Sequence, residues 1–167
     1  MNHRDFTKTQ KLTISAMVMA LYIVVLYFTQ SFSFGAYQIR IAITLYALSY
    51  FCPFLVLPLG LANFIANTLF GGLGIWDMVG GCLVGLATSG SIAAIRKFNL
   101  PKLCIVPVLI LIPGMGVATW LSYCLNIPYG TMAFSLCIGQ TVPAVCGLAL
   151  VTVMKKRFPT EKQSAEA

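Results

Sequence analysis

Long apolar segments alternate along the chain with short polar, glycine-rich or basic interruptions. Within each segment the apolar residues are continuous instead of recurring at every second position, which indicates membrane helices and not the strands of a barrel. At about 20 residues per span, 167 residues accommodate about six helices joined by short loops. The predicted spans are approximately 12–28, 39–51, 57–70, 77–95, 103–124 and 131–154.

This pattern predicts an all-α integral membrane protein with one membrane domain, residues 12–154, between tails at 1–11 and 155–167. The composition agrees, because 59% of the residues are hydrophobic, 9% are charged and the mean hydropathy is +0.88. Soluble domains carry about 25% charged residues. A domain of this size can enclose one small-molecule pocket but leaves no room for an ATPase, so any energy source must come from partners or an ion gradient.

The net charge of +7 arises mainly from three clusters that flank apolar spans. This placement is the positive-inside signal and favours contact with anionic lipid over binding of nucleic acid. Six crossings that start inside put all three clusters, and both termini, in the cytosol. The clusters are Arg4, Lys8 and Lys11; Arg96, Lys97 and Lys102; and Lys155, Lys156, Arg157 and Lys162.

Arg40 and Asp77 are the only charged residues between Lys11 and Arg96. The same six-span topology places both at the outer ends of their helices. An ionised side chain at the centre of a membrane helix costs about 2.5–3.5 kcal/mol, and a partner is expected even nearer the interface. Two explanations stay open: the two side chains pair and fasten helices 2 and 4, or one or both contact a ligand.

Four amide side chains favour the ligand explanation. Asn63 and Asn67 lie on one helix face at i, i+4 spacing, and Gln38 and Gln140 are also placed to line an interior. Amides both donate and accept, so they suit a heterocycle with fixed hydrogen-bonding edges, and a carboxylate such as Asp77 can accept two parallel N–H bonds. Asn67 is equally well explained by a hydrogen bond between helices.

Aromatic side chains near these polar groups could sandwich a flat ring. For any single one of them, packing in the core or in the interfacial belt is the favoured explanation. These residues are Phe34, Tyr37, Tyr46, Tyr50 and Trp76.

Metal binding and catalysis find no support in the sequence. The six cysteines form no CxxC pair, and the single histidine, His3, lies in the N-terminal tail. No second carboxylate or activated nucleophile accompanies Asp77 in the membrane domain, so we expect a binding site and not an enzyme.

Two other features concern partners and access. Ala16 and Ala20 form a small-residue face on the first helix, which predicts either close packing within the bundle or docking of another membrane helix. Residues 29–38 form a loop rich in serine and aromatic residues that could order over a ligand as a lid.

The segments FGAYQIR and GLANFIANTLFGGLGIWDMVGG resemble the QueT family, small S-components of energy-coupling factor (ECF) transporters for queuosine precursors. The likeness covers most of the chain and is strongest over residues 12–95. Gln38, Arg40, Asn67 and Asp77 match the family pattern, and the spacing of the two alanines is similar to the AxxxA face by which S-components dock on the coupling subunit.

This resemblance implies a six-helix substrate-binding protein of the bacterial cell membrane, partnered by a transmembrane coupling subunit and two ATPases. ATP would be used by those partners, with no cofactor in this chain. The ligand would be a 7-deazaguanine-type heterocycle captured from outside and held by Asp77 and the amides.

The chain departs from the family pattern at Ile43 and Gln140, where acidic residues are expected. Neutral residues there favour a neutral, nucleobase-like ligand over one with a cationic aminomethyl group. The alternatives are an S-component for another vitamin or nucleobase, a structural or oligomeric subunit without a ligand, and a stand-alone carrier.

Overall fold

The structure is a computed structural model that describes residues 6–33, 38–71 and 74–157. All regular elements in these ranges are helical, which confirms the predicted all-α class. The α-helices are α1 (Lys8–Phe28), α2 (Gln30–Ser33), α3 (Val56–Phe70), α4 (Ile75–Lys97), α5 (Ile105–Leu125), α6 (Tyr129–Gly139) and α7 (Thr141–Arg157). Three further segments are 3-10 helices: Ile41–Tyr50, Pro53–Leu55 and Lys102–Cys104.

Five helical segments of the described chain are long and apolar enough to cross a membrane. The second predicted span, 39–51, is shorter, because it forms a 10-residue 3-10 helix, Ile41–Tyr50. At about 2 Å rise per residue it extends about 20 Å, less than the roughly 30 Å of a hydrocarbon core. The orientation of the bundle, with both termini cytosolic, stays a prediction.

The 3-10 helix Ile41–Tyr50 lies at the centre of the bundle. It packs against α1, α4 and α7 and also contacts α3 and α5. Ala42 and Ala47 are fully buried, and their small side chains allow the neighbouring helices to approach. The Thr44 hydroxyl donates to the backbone carbonyl of Pro143 on α7 at 3.2 Å. A short element predicted as an ordinary span is therefore the core of the fold.

An arginine from α4 holds the C-terminal end of this 3-10 helix. Nη1 of Arg96 donates to the backbone carbonyl of Tyr50 at 2.9 Å, and its Cζ lies 5.6 Å from the centre of the Tyr50 ring. The carbonyls at a helix C-terminus attract cations, so this contact stabilises the end of the element.

Helix α1 begins at Lys8, inside the segment predicted as the N-terminal tail. Its start is fixed by a capping box: Thr7 N–H donates to Gln10 Oε1 at 3.0 Å, and Gln10 N–H donates to Thr7 Oγ1 at 3.3 Å. Only Tyr22 and Leu26 of this helix are buried. One long face of α1 is therefore left uncovered by the other described residues.

The last predicted span, 131–154, divides into two helices that meet at Gln140. Gln140 N–H donates to the Leu136 carbonyl at 3.0 Å, and its own carbonyl accepts from Ala144 N–H at 3.1 Å. Pro143 in the first turn of α7 has no N–H to donate, which favours a break in the helical ladder near this point. The junction places a glutamine side chain inside the bundle.

Candidate functional site

Arg40 precedes the central 3-10 helix, and its side chain is buried. Its guanidinium donates through Nη1 to Asn63 Oδ1 at 3.4 Å and through Nη2 to Asn67 Oδ1. Both asparagines are buried on the same face of α3, as their i, i+4 spacing predicts. The buried charge of Arg40 is thus stabilised by hydrogen bonds to two amide oxygens.

The other end of each amide donates to the backbone of α4. Asn63 Nδ2 lies 2.7 Å from the Gly81 carbonyl oxygen, and Asn67 Nδ2 lies 2.7 Å from the Asp77 carbonyl oxygen. This contact requires a glycine at position 81, because a Cβ atom there would collide with Asn67 Nδ2. Two amides therefore join the 3-10 helix, α3 and α4 into one hydrogen-bonded unit.

Asp77 is buried in the first turn of α4, where the partial positive charge of a helix N-terminus favours a carboxylate. Its Oδ1 accepts a hydrogen bond from Trp120 Nε1 of α5 at 3.3 Å. The described contacts connect Arg40 to Asp77 through Asn67 and include no direct ion pair between the two charged side chains. The two residues that the sequence singled out thus belong to one network, in which Asn67 contacts the backbone of Asp77 and Trp120 contacts its carboxylate.

Gln140, at the junction of α6 and α7, contacts the chain just before Arg40, at the N-terminal end of the 3-10 helix. Its Nε2 donates to the backbone carbonyl of Gln38 at 3.1 Å. Gln38 has φ 40°, in the left-handed region that side chains other than glycine seldom adopt. Such conformations persist where surrounding contacts hold them and are frequent at binding sites.

Trp76 differs from the other predicted site residues, because its side chain is 66% exposed. It lines a surface groove of about 560 Å³ together with Trp120 and Tyr123. Trp120 belongs to both places: its ring lines the groove and its Nε1 contacts Asp77. The structure therefore separates Trp76 from the buried amides.

Two of the other predicted aromatic residues, Tyr46 and Tyr50, pack against side chains of neighbouring helices. Tyr46 stacks on Tyr22 with ring centres 5.7 Å apart, and their hydroxyls are hydrogen-bonded at 3.2 Å. Tyr50 packs beside Arg96, at the opposite end of the 3-10 helix from Arg40. Both are packed within the bundle, and the predicted Phe34 and Tyr37 lie outside the described residues.

Two residues that shape the site were not identified from the sequence. Trp120 orients Asp77, and Gly81 makes room for Asn67. A signal exists for Trp120: a tryptophan in an apolar span needs an acceptor for its N–H, and Asp77 is the one acidic residue in the membrane domain. Gly81 could not be distinguished from the other glycines of its helix without knowledge of the packing.

A carboxylate, a guanidinium and amides can hold a polar solute, and they supply no nucleophile with an activating base. The fold and this site define a multi-pass helical membrane protein with a buried polar network. The QueT transporter family profile matches residues 12–156, and the chain belongs to that family. It is a family of transporters and not of enzymes. Neither the curated proteins nor the solved structures give a match.

Proposed function

We propose that this protein is the substrate-capturing subunit of an ECF importer in the bacterial cell membrane. It takes a neutral heterocycle of the 7-deazaguanine type from outside the cell. A transmembrane coupling subunit and two ATPases then drive its release to the cytosol. The observation that carries this proposal is the buried network that gathers Arg40, Asn67 and Asp77 at one end of the central 3-10 helix, in a chain of the QueT transporter family.

The chemistry of the network supports a ligand of this kind. Asp77 offers carboxylate oxygens that accept N–H groups, and an aminopyrimidinone edge presents two such groups side by side. Ile43 is buried in the apolar core, and Gln140 is neutral. Neither position offers a counter-charge to a cationic substituent, which favours a neutral ligand.

Ligand-induced thermal stabilisation of the purified chain tests the binding function. A ligand that binds only the folded form must raise its apparent stability. We expect 7-deazaguanine to stabilise the wild type and Asp77→Asn to weaken binding at least about tenfold, since one charge-assisted hydrogen bond is lost. Thr68→Ala is the control, because Thr68 is exposed and its hydroxyl bonds only within α3. Unchanged affinity in Asp77→Asn would remove Asp77 from the site.

The uncovered face of α1 supports docking of the coupling subunit. Ala16 and Ala20 are both exposed on this face, and their small side chains permit close approach of another helix. We expect Ala16→Leu to abolish co-purification with the coupling subunit while ligand binding is retained. Ala87→Leu, at an exposed alanine of α4, is the matched control. Equal co-purification of both variants would contradict docking through this face.

One observation favours a second candidate, a structural subunit without a ligand. Asn63 and Asn67 each have both ends of the amide hydrogen-bonded within the bundle. If the network is only a fastener, Asn67→Ala should lower the midpoint of thermal unfolding while no solute of the deazaguanine, nucleobase and vitamin classes stabilises the wild type. Stabilisation of the wild type by one of these solutes would contradict this second candidate. A stand-alone carrier would instead show uptake by the single chain in ATP-free vesicles.

A further inference from the structure

One acceptor atom in the predicted site has no hydrogen-bond partner in the described part of the chain. It is Oε1 of Gln140, whose side chain is only 3% exposed. Buried polar atoms are nearly always hydrogen-bonded, and leaving one unsatisfied costs free energy. An exception at this position therefore requires an explanation from the site itself.

The orientation of the amide is fixed by its neighbour. The Gln38 carbonyl oxygen can only accept, so the NH₂ group of Gln140 must face it, and it does so at 3.1 Å. Exchanging the two ends of the amide would put two acceptors against each other. Oε1 is thus the end that points away from Gln38.

The backbone on both sides of this contact is also held. Gln140 makes the helical bonds to Leu136 and Ala144 that link α6 to α7. Gln38 lies two residues before Arg40, so the contact joins the α6–α7 junction to the end of the 3-10 helix that carries the network. An acceptor that is buried and held in a fixed orientation has the properties of a preformed recognition group.

We propose that Gln140 is a specificity-determining residue whose Oε1 accepts a hydrogen bond from an N–H group of the captured solute. This inference rests on the proposed function and deepens it by fixing the polarity of the solute. Asp77 and Gln140 then both present acceptors, so the solute must be rich in donors. A ring with a carbonyl oxygen facing Gln140 is rejected because two acceptors would be desolvated against each other.

The test compares wild type with Gln140→Met, which has a similar size and no hydrogen-bonding amide. The probes are 7-deazaguanine and three analogues that each lack one N–H donor: 7-deazahypoxanthine, 1-methyl-7-deazaguanine and 9-methyl-7-deazaguanine. One of the three analogues lacks the N–H group that Gln140 Oε1 accepts. Relative to 7-deazaguanine, we expect that analogue to lose at least about tenfold in affinity for the wild type and less than about threefold for Gln140→Met. Thr141→Val, at the next and exposed residue, should discriminate as wild type does.

Thermal unfolding without solute gives a second, independent measurement. Gln140→Met removes the bond to Gln38, which contributes about 1 kcal/mol, and it also removes an unsatisfied acceptor, so its midpoint should lie within about 4 °C of wild type or above it. A midpoint lower by more than about 12 °C would exceed the cost of losing the bond to Gln38. That result would show that Oε1 also has a partner in the free protein and would overturn the proposal.

Different results would overturn the proposed ligand class and the proposed role of Gln140. If 7-deazaguanine does not stabilise the wild type, the proposed ligand class is wrong, and the role of Gln140 in recognising that class is wrong with it. If 7-deazaguanine binds but all three analogues are penalised equally in wild type and Gln140→Met, only the role of Gln140 is overturned.

Discussion

Asn67 links the side chain of Arg40 to the backbone of Asp77, so its removal tests the network most directly. Asn67→Ala deletes the acceptor for Arg40 Nη2 and the donor to the Asp77 carbonyl. A hydrogen bond to a charged group contributes about 1.5–3 kcal/mol and a neutral one about 1 kcal/mol. Interhelical bonds in membranes average less, about 0.6 kcal/mol, because the unfolded state in lipid also finds partners.

We expect the loss to lie near the upper part of this range, at about 3 kcal/mol, because the charge of Arg40 stays buried after the substitution. For a chain of 150–250 residues, each kcal/mol lowers the midpoint of thermal unfolding by about 2–4 °C. The expected decrease for Asn67→Ala is therefore about 6–12 °C.

Thermal unfolding in detergent micelles, followed by tryptophan fluorescence, measures this decrease. Asn67→Asp separates the two bonds, because it keeps an acceptor for Arg40 but turns an oxygen toward the Asp77 carbonyl. We expect it to lose about half as much stability as Asn67→Ala. Thr68→Ala should lower the midpoint by no more than about 2 °C, since its hydroxyl bonds within its own helix. If Asn67→Ala behaves like Thr68→Ala, the network contributes nothing to the fold.

Three further substitutions test contacts around the network. Equilibrium unfolding should show that Gly81→Ala destabilises the protein by about 1–3 kcal/mol, because the added methyl group collides with the Asn67 amide. Gly90→Ala is the control: the nearest atom to its added methyl group lies at 3.8 Å, so it should be neutral or stabilising. Trp120→Phe should weaken 7-deazaguanine binding several-fold in titrations, because it removes the N–H that orients the carboxylate on α4; unchanged affinity would contradict this role. Tyr22→Phe should cost about 1 kcal/mol, and a double-mutant cycle with its tyrosine partner should show coupling of about 0.5–1 kcal/mol.

The polar part of the site could be predicted where local spacing decides it. Asn63 and Asn67 share a face because four residues make about one helical turn, and each must find partners in an apolar span. The isolation of Arg40 and Asp77 in the sequence is equally local information. The structure brings these residues into one network, as the shortage of other polar groups in the membrane domain implies.

Features that depend on packing between distant segments could not be predicted. The direction of Trp76 depends on which face of α4 meets α5, and the sequence pattern of α4 is too uniformly apolar to decide it. The bond from Trp120 to Asp77 depends on the register of the same two helices. The 3-10 form of Ile41–Tyr50 could not be predicted either, because an apolar run of that length is equally compatible with an α-helical span.

The central 3-10 helix is held by an arginine at each end, Arg40 through the asparagines of α3 and Arg96 through the Tyr50 carbonyl. Ten residues extend about 20 Å in this form and about 15 Å as an α-helix. Rewinding would shorten the segment by about 5 Å and pull one guanidinium off its acceptors. The two arginines thus favour the longer 3-10 form over the α-helical form. The length of the segment therefore depends on the polar contacts at its two ends.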